Sequence, residues 1–136
     1  MNPTKLMLAA IAAAFTVTVA ATAAEATLPP ASTQTGVTYD TDIKPIFQAS
    51  CVKCHSGARP KARLHMDTLA GVLKGTKNGP IVKPGDSANS LIVKAIAHAT
   101  DDQDGWMPPL HNKAGIKDLT PEQIGLIRAW IDQGAK

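Results

Sequence analysis

Apolar positions recur at helical spacing in four stretches of the chain, and polar or glycine- and proline-rich segments separate these stretches. The last stretch has the clearest boundaries, because Thr120, Pro121 and Gln123 form a capping-box sequence and Gly134 can end the helix. Three earlier helices are expected at about residues 42–51, 64–74 and 88–99. No clear alternating strand pattern is present.

Two segments precede the first helix. Within residues 1–24, the positive Lys5 is followed by an uncharged, alanine-rich stretch, which is typical of a secretory signal peptide. Two A-x-A patterns predict cleavage between about Ala23 and Ala26. An uncleaved membrane anchor is the alternative, but it is disfavoured because alanine and threonine contribute little insertion energy. After cleavage, no stable membrane insertion is expected. Residues 25–38 predict a flexible leader, which leaves 39–136 as one domain.

Cys51-Val52-Lys53-Cys54-His55 is a C-x-x-C-H sequence, the attachment signature of a c-type haem. Cys51 and Cys54 lie on the same side of a helical turn and can add across the two vinyl groups of one porphyrin edge. His55 is then held under the iron as the proximal axial ligand. Because bacteria attach this haem outside the cytoplasm, the motif and the export signal support each other and indicate the periplasm.

A C-x-x-C pair can also be a redox dithiol, a structural disulfide or half of a zinc site. A thioredoxin-like dithiol would lie near a βαβ pattern, which this chain lacks. A zinc site could use Cys51, Cys54, His55 and His65, but nothing in the sequence positions His65. The predicted cofactor is therefore one covalently attached haem c.

A sixth iron ligand must come from elsewhere in the chain. Met66 follows His55 too closely to reach the opposite haem face. Met107 lies in a long loop between two helices, and the two prolines after it restrict the backbone that would hold a weak thioether ligand. Met107 is the predicted ligand, and His98 and His111 are the alternatives.

Charged and aromatic residues near these motifs are further candidates. Arg63 could pair with a haem propionate, and Trp106, next to Met107, is a candidate cofactor contact. The formal net charge is +3 without a concentrated basic face, so nucleic-acid binding is not expected. Basic residues around the motif could steer acidic redox partners or could simply form a solvated loop: Lys53, Arg59, Lys61 and Arg63.

The ordered set of motifs resembles a class I monohaem cytochrome c, closest to the planctomycete-type cytochrome c domain. The resemblance covers about residues 39–136. It is carried by residues 42–47 leading into C-x-x-C-H, by Gly79-Pro80, Pro84-Gly85-Asp86 and Ser90-Leu91, by Met107-Pro108-Pro109, and by Trp130-Ile131 in the closing helix. It implies an all-α, cytochrome c-like fold of about four to five helices around one covalently attached haem, with the first and last helices crossing beside it. It also implies His55 and Met107 as the axial pair.

A His/Met pair leaves no iron position open for oxygen or a substrate, and the sequence contains no separate general acid, nucleophile or metal constellation. The expected function is therefore electron transfer between periplasmic redox partners rather than catalysis. The alternatives are a haem enzyme or a gas or redox sensor with a labile sixth ligand, a haem-free redox or zinc module, and a subunit of a larger oxidoreductase.

Overall fold

A computed structural model describes residues 28–136, so the predicted signal peptide and its cleavage region lie outside the described residues. Within this range the chain forms no β-strand, and its four α-helices are α1 (Lys44–Ser50), α2 (Leu69–Lys74), α3 (Leu91–Ile96) and α4 (Pro121–Asp132). A π-helical turn, Tyr39–Ile43, leads directly into α1. The predicted all-α class is confirmed. None of the described helices is long and apolar enough to cross a membrane.

Helix α4 has the capping box that the sequence predicts. The Thr120 hydroxyl accepts a hydrogen bond from the Gln123 N–H at 3.2 Å, and the Gln123 side chain accepts one from the Thr120 N–H at 2.9 Å. Ile127 and Trp130 are buried on its inner face. The helix thus satisfies its first free N–H groups locally and presents a continuous apolar face to the core.

Helices α2 and α3 are shorter than predicted, because side-chain hydroxyls form hydrogen bonds with the backbone later in the chain than the predicted helix starts. The Thr68 hydroxyl accepts from the Gly71 N–H at 3.1 Å, so α2 begins after Thr68. The Ser90 hydroxyl donates to the Asp86 carbonyl and accepts from the Lys83 N–H, at 2.9 and 2.8 Å. Ser90 thereby closes a turn ahead of α3, which begins at the next residue.

The first and last helical segments contact each other through three aromatic rings. Tyr39 and Phe47 pack at a centroid distance of 6.2 Å, and Trp130 of α4 lies 6.0 Å from Tyr39 and 6.4 Å from Phe47. The Phe47–Trp130 pair is edge-to-face, an arrangement that stabilises by about 0.5–1.5 kcal/mol beyond the area buried. This cluster joins the segment before the C-x-x-C-H motif to the C-terminal helix.

The described part of the expected flexible leader packs against α4 instead. Leu28 and Val37 are buried, and the Ser32 N–H donates to the Gly125 carbonyl at 2.9 Å. A Cβ on Gly125 would lie 2.6 Å from the carbonyl oxygen of Pro30. The missing side chain in α4 therefore provides the groove in which this segment lies.

Arg128 of α4 forms a hydrogen bond with the same segment. Its Nη1 donates to the Pro29 carbonyl at 2.6 Å, and its Nε donates to the Ser87 hydroxyl at 3.1 Å. The Ser87 hydroxyl in turn donates to the Asp132 carboxylate at 2.9 Å. Because Arg128 is buried, these bonds satisfy a charge that would otherwise be costly to remove from water.

Candidate haem-binding site

The cysteine motif continues the helical path beyond the end of α1. The Cys51 N–H donates to the Phe47 carbonyl at 2.8 Å, and the Cys51 carbonyl accepts from the Cys54 and His55 N–H groups at 3.1 and 3.0 Å. All three residues of the motif that carry its chemistry line one cavity. The turn therefore brings two thiols and an imidazole to the same surface.

This cavity has a volume of about 390 Å³, and Met107, from the loop between α3 and α4, lines it as well. Besides Cys51, Cys54 and His55, the polar residues of its lining are Ser50, Thr76, Asn78, Asp104 and Asn112. The remaining lining is mainly apolar and includes Leu64, Met66, Ile81, Leu91, Ile92, Ala95, Ile96, Pro108, Pro109, Ile116 and Leu119. A mainly apolar cavity with a few placed polar groups is what a bound cofactor requires.

The ring of His55 is oriented by a backbone carbonyl. Its Nδ1 lies 3.1 Å from the carbonyl oxygen of Lys61. Since a carbonyl can only accept, Nδ1 is the donor, and in the neutral ring Nε2 then keeps its lone pair. Burial lowers the pKa of His55, the nearby Lys61 charge acts in the same direction, and the hydrogen bond opposes both. The site thus favours a neutral imidazole whose Nε2 is available to a metal.

The Lys61 carbonyl is held by a tight turn. The Lys61 N–H donates to the Cys54 carbonyl at 3.0 Å, and the Lys61 carbonyl also accepts from the Leu64 N–H at 3.1 Å. Ala62 and Arg63 have φ values of 56° and 57°, a left-handed conformation that is unfavourable for residues with a Cβ. Such backbone strain clusters at functional sites. Here it accompanies the carbonyl that orients His55.

The two cysteines carry free thiols, and neither is in a disulfide. Burial raises the pKa of Cys51 to about 12, and the proximity of Cys54 acts in the same direction. Among residues 28–136, no group of three or more His, Cys, Asp and Glu side chains lies close enough together to hold a metal ion. The four-residue zinc set that includes His65 is therefore not gathered.

The loop that carries Met107 is tied down on both sides. The Met107 N–H donates to the Ala95 carbonyl of α3 at 3.0 Å. Asn112 donates from its amide to the Pro109 and Ile116 carbonyls and accepts from the Ile116 N–H. Sequence reasoning missed Asn112, although Asn side chains commonly form hydrogen bonds to nearby backbone in turns.

Met66 is a second thioether that lines the cavity, and it is only 4% exposed. Its N–H donates to the His55 carbonyl at 2.8 Å, and its carbonyl accepts from the Tyr39 hydroxyl at 3.0 Å. The backbone of Met66 is therefore tied to the histidine of the motif. Spacing alone assigned Met66 no role, because its backbone contact with His55 depends on the fold.

The other candidates lie outside the cavity lining. Arg63 is exposed, although its neighbour Ala62 lines the cavity. Trp106 lies between two lining residues, and its ring stacks on His98 with a centroid distance of 4.7 Å. In the described chain, neither His98 nor His111 lines the cavity.

The donor set fits a haem covalently attached through its edge. Two thiols, an imidazole with a free Nε2 and a thioether line one apolar cavity, and these are the side chains that hold c-type haem and its iron. The indole Nε1 of Trp106 is shielded from solvent and has no hydrogen-bond partner among the described residues. A buried N–H donor beside the cavity is suited to a cofactor carboxylate.

Residues 51–111 match the family described as planctomycete cytochrome C. The match begins at Cys51 and includes both C-x-x-C-H and Met107-Pro108-Pro109. It confirms the resemblance to the planctomycete-type domain. No curated protein and no solved structure gives a significant match to the chain. A planctomycete cytochrome C match implies haem c and haem-based electron transfer, and the Cys51–Cys54 spacing fits this cofactor.

Proposed function

We propose that this protein is a periplasmic electron carrier with one c-type haem, attached through Cys51 and Cys54 and axially ligated by His55 and Met107. One observation carries the proposal: these four side chains, from separate parts of the chain, line the same apolar cavity. The protein exchanges single electrons between redox partners and is not itself an enzyme.

Each residue has a distinct task at this site. Cys51 and Cys54 would hold the cofactor through thioether bonds. His55 would bind iron through Nε2, while the Lys61 carbonyl holds its Nδ1 proton. The bound haem supplies a reversible one-electron couple. Met107 would supply the sixth ligand, since a thioether favours reduced iron, and the mainly apolar lining would exclude water there.

The propionates are the charged part of the cofactor and require donors. The Trp106 Nε1–H, buried and without a partner among the described residues, is one donor. Arg63 is exposed next to the lining residue Ala62, where it can form a charge-assisted pair with a carboxylate at the solvent side.

Partner docking is assigned to the basic rim, defined as Lys53, Arg59, Lys61 and Arg63. All four side chains are exposed, and Lys53 and Lys61 adjoin the lining residues Cys54 and Ala62. Positive charge beside the cofactor can steer an acidic partner to the position from which electrons are transferred.

Absorption spectroscopy tests the ligation. The protein is exported together with a haem-attachment system and measured oxidised and reduced, as wild type, Met107→Leu and Met66→Leu. We expect a covalent low-spin haem with a far-red sulfur-to-iron band, which Met107→Leu removes and Met66→Leu retains. The paired substitutions are matched in chemistry and change one cavity thioether each.

Other spectra would contradict the proposal. A high-spin wild-type spectrum would instead support a haem enzyme or a gas sensor with a labile sixth ligand. A far-red band that survives Met107→Leu would exclude Met107 as the ligand. A purified exported protein without Soret absorption would support a haem-free redox module.

A further inference from the structure

His98 and Trp106 form a parallel stack beside the Met107 loop. Their ring centroids are 4.7 Å apart and the ring planes differ by 2°. His98 follows α3 with a φ of 54°, and Trp106 directly precedes Met107. The chain therefore leaves α3 at one ring and returns at the other, immediately before the proposed iron ligand.

The backbone converges at the same place. The Ala95 carbonyl accepts from the His98 N–H at 3.2 Å and from the Met107 N–H at 3.0 Å. The stack thus closes a loop whose two ends meet at one carbonyl of α3. Ala95 and Met107 both line the cavity, whereas His98 does not. The contacts of His98 consequently lie with the loop and not with the cavity.

A second contact joins His98 to the segment before α4. Its Nε2 lies 3.8 Å from a carboxylate oxygen of Asp118. The side chain of His98 is only 20% exposed, and its Nε2 has no hydrogen-bond partner within residues 28–136. The ring of His98 therefore packs on Trp106, and such an aromatic pair stabilises by about 0.5–1.5 kcal/mol beyond the area buried.

We propose that His98 is a positioning residue that acts through Trp106 to hold the Met107 thioether in place as the sixth ligand. The inference rests on the proposed function, because it requires Met107 to bind iron. Without the stack, the Ala95–Met107 hydrogen bond remains, but the loop between residues 98 and 106 loses its side-chain closure. The Met-dissociated state should then be more populated.

The test measures how easily an external ligand displaces Met107 from ferric, haem-loaded protein. His98→Asn removes the ring and keeps a residue type that tolerates a left-handed backbone. We expect its affinity for added imidazole to rise by roughly three- to tenfold, the factor that corresponds to one aromatic stack. Trp106→Phe keeps a flat ring in the stack at a position with ordinary backbone, and its affinity should stay closer to that of wild type than the affinity of Trp106→Leu.

Two control variants, and a pair of variants at Trp106, separate the stack from other effects. His111→Asn makes the same substitution at an exposed histidine after Met107 and should leave imidazole affinity unchanged. Asp118→Asn removes only the charge facing His98 and should have less effect than His98→Asn. If His98→Asn does not fold, Trp106→Leu and Trp106→Phe test the stack from its other side, with Leu raising the affinity more than Phe.

The outcomes for the two proposals are distinguishable. If wild type lacks the far-red sulfur-to-iron band, the proposed ligation is wrong and this inference falls with it. If wild type has the band but His98→Asn binds imidazole like wild type, only the inference is overturned. It is also overturned if Trp106→Phe raises the affinity for imidazole as much as Trp106→Leu does, because the ring would then not be the holding element.

Discussion

The hydroxyl of Tyr39 forms a buried hydrogen bond between two separate segments of the chain. It donates to the Met66 carbonyl at 3.0 Å in a buried position, and it thereby ties the first helical turn to a segment that lines the cavity. Burial, reinforced by the negative charges of Asp67 and Asp40 and by Cys51, raises the pKa of Tyr39 to about 12. The folded state therefore favours the neutral phenol.

Tyr39→Phe should destabilise the haem-loaded protein at neutral pH by about 1–3 kcal/mol, because the buried Met66 carbonyl loses its donor. The folded-state pKa of about 12 lies above the ordinary value of 10.0. The contribution of the neutral phenol is thus complete below about pH 10 and is lost as the pH rises through 12. Urea denaturation of both proteins from pH 7 to 12 should show the advantage of wild type shrinking in that window.

The comparison between variant and wild type cancels the titration of groups that both proteins share. A difference in unfolding free energy that stays constant from pH 7 to 12 would contradict the raised pKa. A difference near zero at pH 7 would show that the Met66 carbonyl finds another donor when the phenol is removed.

Residue chemistry predicts part of the site and cannot predict the rest. The type and spacing of cysteine, histidine and methionine residues indicate their chemistry. Cys51, Cys54, His55 and Met107 could therefore be named from the sequence as candidate site residues. The carbonyl that holds His55 belongs to Lys61, and a backbone carbonyl has no sequence signature. Its direction depends on two left-handed residues, Ala62 and Arg63, neither of which is a glycine.

At the scale of elements, local chemistry predicts α4 well because its capping box is complete within four residues. The starts of α2 and α3 are less predictable. Ser90 could cap a longer helix by composition, but its hydroxyl bonds to Lys83 and Asp86 instead. The extended segment at 28–37 is less predictable still, since the groove at Gly125 and the donors of Arg128 belong to α4, far along the chain.

Arg128→Met tests this long-range anchor and keeps much of the apolar stem of the side chain. We expect the free energy of unfolding to fall by about 1.5–3 kcal/mol, the range for hydrogen bonds to a charged group. The Ser32 N–H, which is bonded to the Gly125 carbonyl, should exchange with solvent faster. Chemical denaturation and hydrogen exchange measure these two effects.

Lys113→Gln, which removes an exposed positive charge elsewhere, provides the control and should leave exchange at Ser32 unchanged. A stability loss in Arg128→Met without faster exchange at Ser32 would mean that Arg128 supports the Ser87–Asp132 network alone. The N-terminal segment would then be held by its buried Leu28 and Val37.

The whole molecule gathers its site from distant parts of the chain. The cavity takes its cysteines from the end of α1, apolar side chains from α3, and Met107 from the loop that follows. The aromatic cluster of Tyr39, Phe47 and Trp130 connects the first of these parts to α4. Packing of the C-terminal helix therefore supports the turn that presents the cysteines.

Charge at this scale gives the basic rim a testable consequence. Lys53→Gln with Lys61→Gln removes two exposed positive charges beside cavity-lining residues. At low salt, electron transfer from the reduced protein to ferricyanide, an anion, should slow by roughly two- to fivefold, since steering depends on local charge. Reduction of the oxidised protein by hexaammineruthenium(II), a cation, should speed up. Both effects should fade above about 0.1 M salt, where the screening length is about 10 Å.

Lys83→Gln with Lys136→Gln makes the same change in net charge at two other exposed lysines. If the rim is the electron-transfer surface, this control pair should change both rates less than the rim pair does, because interaction with a small ion weakens with distance from the point of transfer. Equal effects from the two pairs would show that only net charge matters, and the proposed docking at Lys53, Arg59, Lys61 and Arg63 would then be wrong.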